Sequence, residues 1–320
     1  MNEPERELRQ DADPDVGSER QWTREATARR EVGLDDQLGV DLPSLQHDRP
    51  RDEVVRVGAR GARDQQQHRK RSHARTLPLL LLVACHYDVG QADSAFYNWD
   101  DRKVHCAIDI DTYARIDNAS IDTGLDRARD RGEVLELYNH DPGVTVQEDV
   151  IEHVLAGAQS RGLAFVTYAD MANGVRPAGG GLAYSFDDAY VKQWVALRPL
   201  FQQYGARITF FIAYWDQLSA VDRASLHDLA ADGHDIEAHT AKHYRGPVYV
   251  EQRGLGAYMS DEVQPSIDHL RDDGFTISAF AYPYGARTDE TDRAILERVP
   301  ILRSVAYTWD SPATDPCPND

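Results

Sequence analysis

The strongest constraint on the fold is a regular alternation of strand-like and helix-like segments after residue 103. Such alternation indicates a parallel sheet with right-handed crossovers. Eight strand-like runs fit a closed β/α barrel of seven or eight parallel strands, and an open doubly wound sheet fits the same pattern. The predicted strands are Val104–Ile110, Glu133–Tyr138, Leu163–Tyr168, Gly181–Phe186, Arg207–Ala213, His234–Ala238, Thr276–Tyr282 and Ile301–Tyr307. The predicted helices are Thr123–Asp130, Thr145–Arg161, Tyr190–Tyr204, Ser219–Ala231, Leu255–Asp272 and Thr288–Arg298.

An acidic pair, Asp187 and Asp188, follows one predicted strand, and two histidines, His239 and His243, follow another. Adjacent carboxylates repel each other unless a cation or a proton offsets the repulsion. Histidines four residues apart can direct both imidazoles at one point. One carboxylate oxygen and two imidazole nitrogens leave a coordination position open for water, as in catalytic zinc sites. Taken singly, the acidic pair is also typical of a helix N-cap and the histidines of a polar loop.

The charge of the chain is unevenly distributed, and this bears on its partners. Residues 76–320 carry all but one unit of the net charge of -19. Nucleic acid binding depends on clustered lysine and arginine, so we expect no nucleic acid partner. Residues 1–75 are polar and lack periodicity, so they are predicted to be disordered or to result from an incorrectly assigned translation start.

A short apolar run, Leu77 to Ala84, follows a basic stretch, and together residues 69–85 have the layout of an export signal. The run is too short to span a bilayer, and a buried strand is the alternative. The sequence Leu82-Val83-Ala84-Cys85 resembles the lipobox of bacterial lipoproteins. That resemblance implies lipidation of Cys85, membrane attachment by a lipid anchor only and a place in the bacterial cell envelope. Periplasmic or secreted protein is the alternative.

After the signal, residues 86–102 resemble a polar linker before a domain that spans residues 103–320. In an exported protein, Cys106 and Cys317 form an even pair that could make a disulfide. Two unpaired thiols fit the sequence as well, because spacing does not reveal partners.

Three motifs in order resemble the polysaccharide deacetylase family, also called the NodB-homology or carbohydrate esterase family 4 group. They are Ser185-Phe186-Asp187-Asp188, His239-Thr240-Ala241-Lys242-His243 and Ala281-Tyr282-Pro283-Tyr284-Gly285. The resemblance implies a NodB-like barrel that holds a divalent metal, with Zn²⁺ favoured, through Asp188, His239 and His243. It also implies that Asp187 acts as the base.

The remaining roles are also implied by the family. The backbone amide of Tyr284 would stabilise the oxyanion, and Pro283 would stiffen its loop. Tyr282, Pro283 and Tyr244 are candidates for substrate binding. His140 would protonate the leaving group, with Asp111, or less favourably Asp109, orienting it.

Two departures from the family pattern carry structural predictions. The family's third motif often contains an arginine, and this chain has Ala281 at that position. Arg287 or Lys192 could substitute for the missing arginine. The segments that resemble the family's last two motifs, around Asp111 and His140, precede the first motif. We therefore predict a circularly permuted barrel, since a closed barrel can bring its termini together.

The predicted function is removal of N-acetyl, or O-acetyl, groups from a cell-envelope or extracellular polysaccharide. One alternative is a non-catalytic envelope lipoprotein that binds glycan or metal on the same barrel. The other is a hydrolase of other non-peptide C–N bonds, because a fold does not determine a substrate.

Overall fold

A computed structural model describes residues 88–307 and Cys317. Seven parallel strands in this part of the chain close into a barrel, which confirms the predicted fold class. The strands are β1 (Phe96–Tyr97), β2 (Val104–Asp109), β3 (Val134–Asn139), β4 (Ala164–Phe165), β5 (Gly181–Asp188), β6 (Thr209–Ile212), β7 (Asp235–Ala238), β8 (Ala279–Ala281) and β9 (Ile301–Tyr307). Around the ring they follow the order β5-β6-β7-β8-β9-β2-β3, and β3 pairs with β5 to close it.

Helices connect most of the strands and pack outside the ring. They are α1 (Asn118–Arg131), α2 (Glu148–Ser160), α3 (Tyr168–Ala172), α4 (Val191–Ala196), α5 (Arg198–Tyr204), α6 (Ala220–Ala231), α7 (Gly246–Arg253), α8 (Leu255–Tyr258), α9 (Gln264–Asp272) and α10 (Asp289–Leu296). A π-helical turn, Met259–Val263, joins α8 to α9. None of the helices in the described part of the chain is long and apolar enough to cross a membrane.

Three predicted segments differ from the structure. The strand predicted over 163–168 is only the two-residue β4, which pairs with β5 outside the ring and leads into α3. The helix predicted over 190–204 is divided at Leu197, just before Pro199, because proline lacks the amide that would continue the ladder. The helix predicted over 255–272 contains the π-helical turn, and α7 precedes it as an element that was not predicted.

Alternation along the strands separates an outer core from the barrel interior. On β5, Leu182, Tyr184 and Phe186 belong to the large apolar cluster that the helices cover, so the residues between them point into the ring. The interior combines apolar and ionisable side chains. Glu136 accepts a hydrogen bond from the Tyr168 hydroxyl (2.8 Å) and pairs with His105 (3.0 Å), all three being buried. The barrel is therefore filled by side chains rather than open as a pore.

The segment before β2 is packed, which corrects the predicted linker over 86–102 in its described part. Val89 and Phe96 are buried, and β1 pairs antiparallel with the first residues of β3. Arg127 lies 3.8 Å from the centre of the Phe96 ring. The folded domain therefore includes residues from about 88 onward, because these side chains complete the apolar core.

Closure of the ring places β2 beside β9, the first and last barrel strands of the chain. The segments that carry Asp111 and His140 thus come first in sequence and close the barrel in space. This arrangement is compatible with the predicted circular permutation, which stays a prediction. The proposed extension over 1–75, the signal over 69–85 and lipidation of Cys85 lie outside the described residues.

A disulfide joins Cys106 on β2 to Cys317, and their Cα atoms are 6.1 Å apart. That spacing is within the usual limit of about 7 Å for a bridge. The bond ties the C-terminal part of the chain to the first barrel strand across a sequence separation of 211 residues. It therefore restrains the unfolded chain over nearly the whole domain.

We expect the C106S/C317S double variant to lose about 2 to 5 kcal/mol of unfolding free energy, because the restraint on the unfolded chain is removed. Urea denaturation of the oxidised wild type and the variant measures the difference. The reduced wild type is the matched control and should resemble the variant. Equal urea midpoints for the oxidised wild type and the variant would contradict the assigned bond.

Candidate active site

The side chains that the sequence predicts to be functional gather at the carboxyl ends of the barrel strands. Asp187 and Asp188 end β5, His239 follows β7, and Asp109 ends β2. His140 follows β3, whose last residue pairs with Phe186 of β5. This register places His140 and Asp187 at neighbouring positions on the rim. In β/α barrels this is the face on which active sites are built.

Asp188, His239 and His243 form a compact group whose ligand atoms all lie within 4.8 Å of one another. Asp188 Oδ1 is 3.3 Å from His243 Nε2 and 3.8 Å from His239 Nε2. That oxygen is buried and has no hydrogen-bond partner among the described residues. A buried carboxylate oxygen facing two imidazole nitrogens fits a divalent cation, which would satisfy all three atoms.

The protonation of the two imidazoles also fits a cation. His239 Nδ1 lies 2.8 Å from the carbonyl oxygen of Ala281 and must donate to it, so Nε2 keeps its lone pair toward Asp188. Burial lowers the pKa of His239 well below its usual value. Burial, with the neighbouring His239, lowers the pKa of His243 to about 3. Both rings are therefore neutral, as metal ligands must be.

Asp187 is held by an arginine that sequence reasoning missed. Arg303, on β9, donates to Asp187 Oδ2, and both side chains are buried. The guanidinium carbon lies 4.7 Å from the centre of the Tyr138 ring and 5.1 Å from that of Phe211. Asp187 Oδ1, in contrast, has no hydrogen-bond partner among the described residues. The pair thus fixes the carboxylate by one oxygen and leaves the other able to accept a proton.

Arg287 and Lys192, which were proposed from the sequence as replacements for the family's arginine, do not contact Asp187. Arg287 pairs with Asp292 (2.6 Å), and Lys192 is exposed on α4. The substitute comes instead from the strand after the third motif. Its sequence signal was an arginine inside the mostly apolar run Ile301–Tyr307, where a charge needs a buried partner.

His140 stands on the other side of the acidic pair and is bound by Asp111. His140 Nδ1 contacts Asp111 Oδ2, and Thr145 Oγ1 donates to Asp111 Oδ1 (2.9 Å). Asp109, the less favoured partner, accepts instead from the Tyr113 hydroxyl (2.7 Å) and the Asp111 amide (2.9 Å). Asp111 is therefore the residue that orients the imidazole.

Electrostatics keep His140 protonated. Burial alone would lower its pKa, but the hydrogen bond and charge of Asp111 outweigh burial, and Asp187 and Asp188 add to them, so the pKa rises to about 10. Burial, with the charge of Asp111, raises the pKa of Asp109 to about 6. His140 is thus a cationic acid at neutral pH, opposite two neutral histidines.

The third motif forms a tight turn, Pro283–Gly285, against the histidine loop. The Tyr284 ring lies 4.8 Å from that of His243, so the turn packs beside a proposed metal ligand. Gly285 has a φ of +63°, and a Cβ there would lie 2.5 Å from Val305. Only glycine therefore fits this turn.

The predicted substrate contact of Tyr282 is wrong. Its side chain is fully buried, and its hydroxyl donates to Asp292 (2.8 Å), so it supports the turn from below. Pro283 is also buried and has the same supporting position. Tyr244 is half-buried with its ring 5.4 Å from that of Tyr249, and its contact with substrate stays a prediction.

With this geometry established, residues 175–301 match the family model described as polysaccharide deacetylase. Over this stretch the chain is similar to the polysaccharide deacetylase family. The matched stretch contains Asp187, Asp188, the two histidines and the Tyr284 turn, whereas Asp111, His140 and Arg303 lie outside it. The described structure thus adds His140 and the buried Arg303 to the side chains of the matched segment.

Solved structures similar to this chain include three bacterial proteins. The Streptococcus pyogenes deacetylase PplD in complex with acetate is 20% identical, with 52% of this chain and 79% of that chain covered and a TM-score of 0.42. IcaB from Ammonifex degensii is 18% identical, with coverage of 54% and 92% and a TM-score of 0.43. The BpsB deacetylase domain from Bordetella bronchiseptica is 17% identical, with coverage of 50% and 84% and a TM-score of 0.38. No curated protein sequence matches the chain.

We expect the R303M variant to lose about 3 to 5 kcal/mol of unfolding free energy, because it leaves the buried Asp187 carboxylate without a cation. Urea denaturation measures the loss, and K192M, which changes an exposed cation, is the matched control. Adding D187N to R303M should restore part of the stability, since no buried charge is then unpaired. An R303M protein as stable as K192M would contradict the assigned pair.

We expect D111N to lower the pKa of His140, since the variant removes the hydrogen bond and charge that raise it and leaves burial, which lowers it. NMR titration of the metal-free protein should show His140 protonated up to about pH 10 in the wild type and only to lower pH in D111N. D149N, at an exposed acid on α2, is the control and should titrate like the wild type. An unchanged pKa in D111N would contradict the assigned contact.

Proposed function

We propose that this deacetylase is a metal-dependent hydrolase that removes N-acetyl, or O-acetyl, groups from an extracellular or cell-envelope polysaccharide. The observation that carries the proposal is the arrangement of three groups on one rim. Asp188, His239 and His243 converge, Asp187 and Arg303 lie beside them, and His140 with Asp111 lies next to Asp187. We propose Zn²⁺ as the metal, because the donors are one carboxylate and two imidazoles.

When bound by Asp188, His239 and His243, zinc would supply the positive charge that acidifies water and polarises the acetyl carbonyl. Asp187 takes the proton of the attacking water on Oδ1, because Arg303 occupies Oδ2. The Tyr284 amide offers a hydrogen bond to the oxyanion of the tetrahedral intermediate. The water oxygen thereby becomes part of the acetate.

The second half of the reaction needs a proton on the leaving nitrogen as the C–N bond breaks. His140 carries that proton at neutral pH, since Asp111 keeps the imidazole cationic. Asp187 and His140 thus have opposite proton-transfer roles, and their environments favour those roles. Amide hydrolysis yields acetate and a free amine, whereas an ester leaving group depends less on the acid.

Aromatic rings on both sides of the site support a sugar substrate. The Tyr284 ring is half-exposed on the His243 side, and the Tyr113 ring is half-exposed on the His140 side. Exposed aromatic faces are suited to stacking against the apolar face of a sugar ring. Two such rings that flank one opening suit a chain of sugars that passes across it.

We also propose that the protein acts outside the cytoplasm, in the bacterial envelope. The Cys106–Cys317 disulfide supports this location, since disulfides persist in oxidising compartments. Attachment through a lipid on Cys85 is part of the proposal and rests on the sequence alone.

Acetate release from N-acetylglucosamine oligomers and from acetylated xylan tests the function. We expect release to stop when EDTA removes the metal and to return when zinc is added, because water is a poor nucleophile without the cation. H239A should lose both zinc binding and activity, whereas H227A, at a half-exposed histidine paired with Asp273, should keep both. Full activity in protein shown to be metal-free would refute metal dependence. Absence of acetate from both polymers with zinc bound would refute the proposed substrate class.

A further inference from the structure

Resting on the metal site proposed above, we propose that Glu262 is a positioning residue for His243. Glu262 lies on the π-helical turn and is not one of the three proposed ligands. It is fully buried, although it carries a carboxylate. A buried acid without a cationic partner at hydrogen-bond distance needs another reason to be there.

The reason lies in the loop that joins His239 to His243. The backbone carbonyl of Glu262 accepts from the Ala241 amide (2.9 Å), and its side-chain Oε2 accepts from the Lys242 amide (2.8 Å). One residue therefore fixes the two consecutive amides that lead into His243.

The loop needs these stabilising hydrogen bonds because its backbone is strained. Thr240 has a φ of +64° and His243 a φ of +61°, in the left-handed region that residues other than glycine seldom occupy. The His243 amide donates to Thr240 Oγ1 (2.9 Å), which closes the loop on itself. Such conformations persist only when surrounding contacts hold them. Glu262 supplies the contacts that come from outside the loop.

The π-helical turn explains how Glu262 reaches the loop. A π turn inserts an extra residue into a helix and shifts its side chains around the axis, and such turns are frequent at functional sites. Asp261, one position earlier, accepts instead from the hydroxyl groups of Tyr249 (2.7 Å) and Ser260 (2.8 Å). Only Glu262 of this acidic pair is therefore aimed at the loop amides, and it sets the direction of the His243 imidazole.

Zinc affinity measured by competition with a fluorescent chelator tests the proposal. We expect E262A and E262M to raise the zinc Kd roughly ten- to a hundredfold, as loss of a residue that orients a ligand does. E262Q keeps one acceptor oxygen and should retain most of the affinity. D261N is the matched control and should bind zinc like the wild type.

A second readout uses metal-free protein, where activity plays no part. Hydrogen exchange at the amides of residues 241–244 should become faster in E262A and E262M but not in D261N. A wild-type zinc Kd in a folded E262A or E262M protein overturns the proposal, even if the variant is less stable to urea. If the wild type itself does not bind zinc, the proposed metal site fails instead, so the two failures are distinguishable.

Discussion

The buried ion pair between Asp187 and Arg303 is the interaction on which the site depends. A carboxylate and a guanidinium inside a barrel each incur a large desolvation cost, and only their contact offsets it. The pair consequently holds the Asp187 carboxylate in one orientation, while the rings of Tyr138 and Phe211 lie against the guanidinium. Because Arg303 comes from β9 and Asp187 from β5, the contact forms only when the barrel is closed.

Closure also determines which segments meet. β3 pairs with β5, and β2 pairs with β9. The two barrel strands that come first in the sequence therefore fill the gap between the first and the last of the later strands. His140 and Asp111 therefore face a metal group that is encoded downstream of them. The disulfide lies on the same seam, where it connects β2 to the C-terminal part of the chain. Architecture and chemistry thus depend on one set of strand pairings.

The sequence was informative where a residue type at a given spacing has few other uses. The Asp-Asp doublet, the two histidines and the strand–helix alternation predicted that these side chains meet on a barrel rim, and Asp188, His239 and His243 do lie together at the carboxyl ends of β5 and β7. It was uninformative where a partner is chosen by three-dimensional contact. The apolar run around Arg303 indicates only that this arginine needs a buried partner, and the inward register of β9 shows that the partner is Asp187, whereas Arg287 pairs with Asp292. Tyr282 was misread for a similar reason, since a strand end does not reveal which face a ring will occupy.

The left-handed backbone conformation at the rim limits which substitutions can make such an enzyme more stable. Asp188 and Tyr284 have φ values of +82° and +60°, so these two residues share the strained conformation of the histidine loop. Glycine would relax any of these positions, yet at Asp188 or His243 it would remove a proposed ligand. Thermal tolerance must therefore be gained in the helices and the core, because at this rim a gain in stability and the retention of catalysis oppose each other.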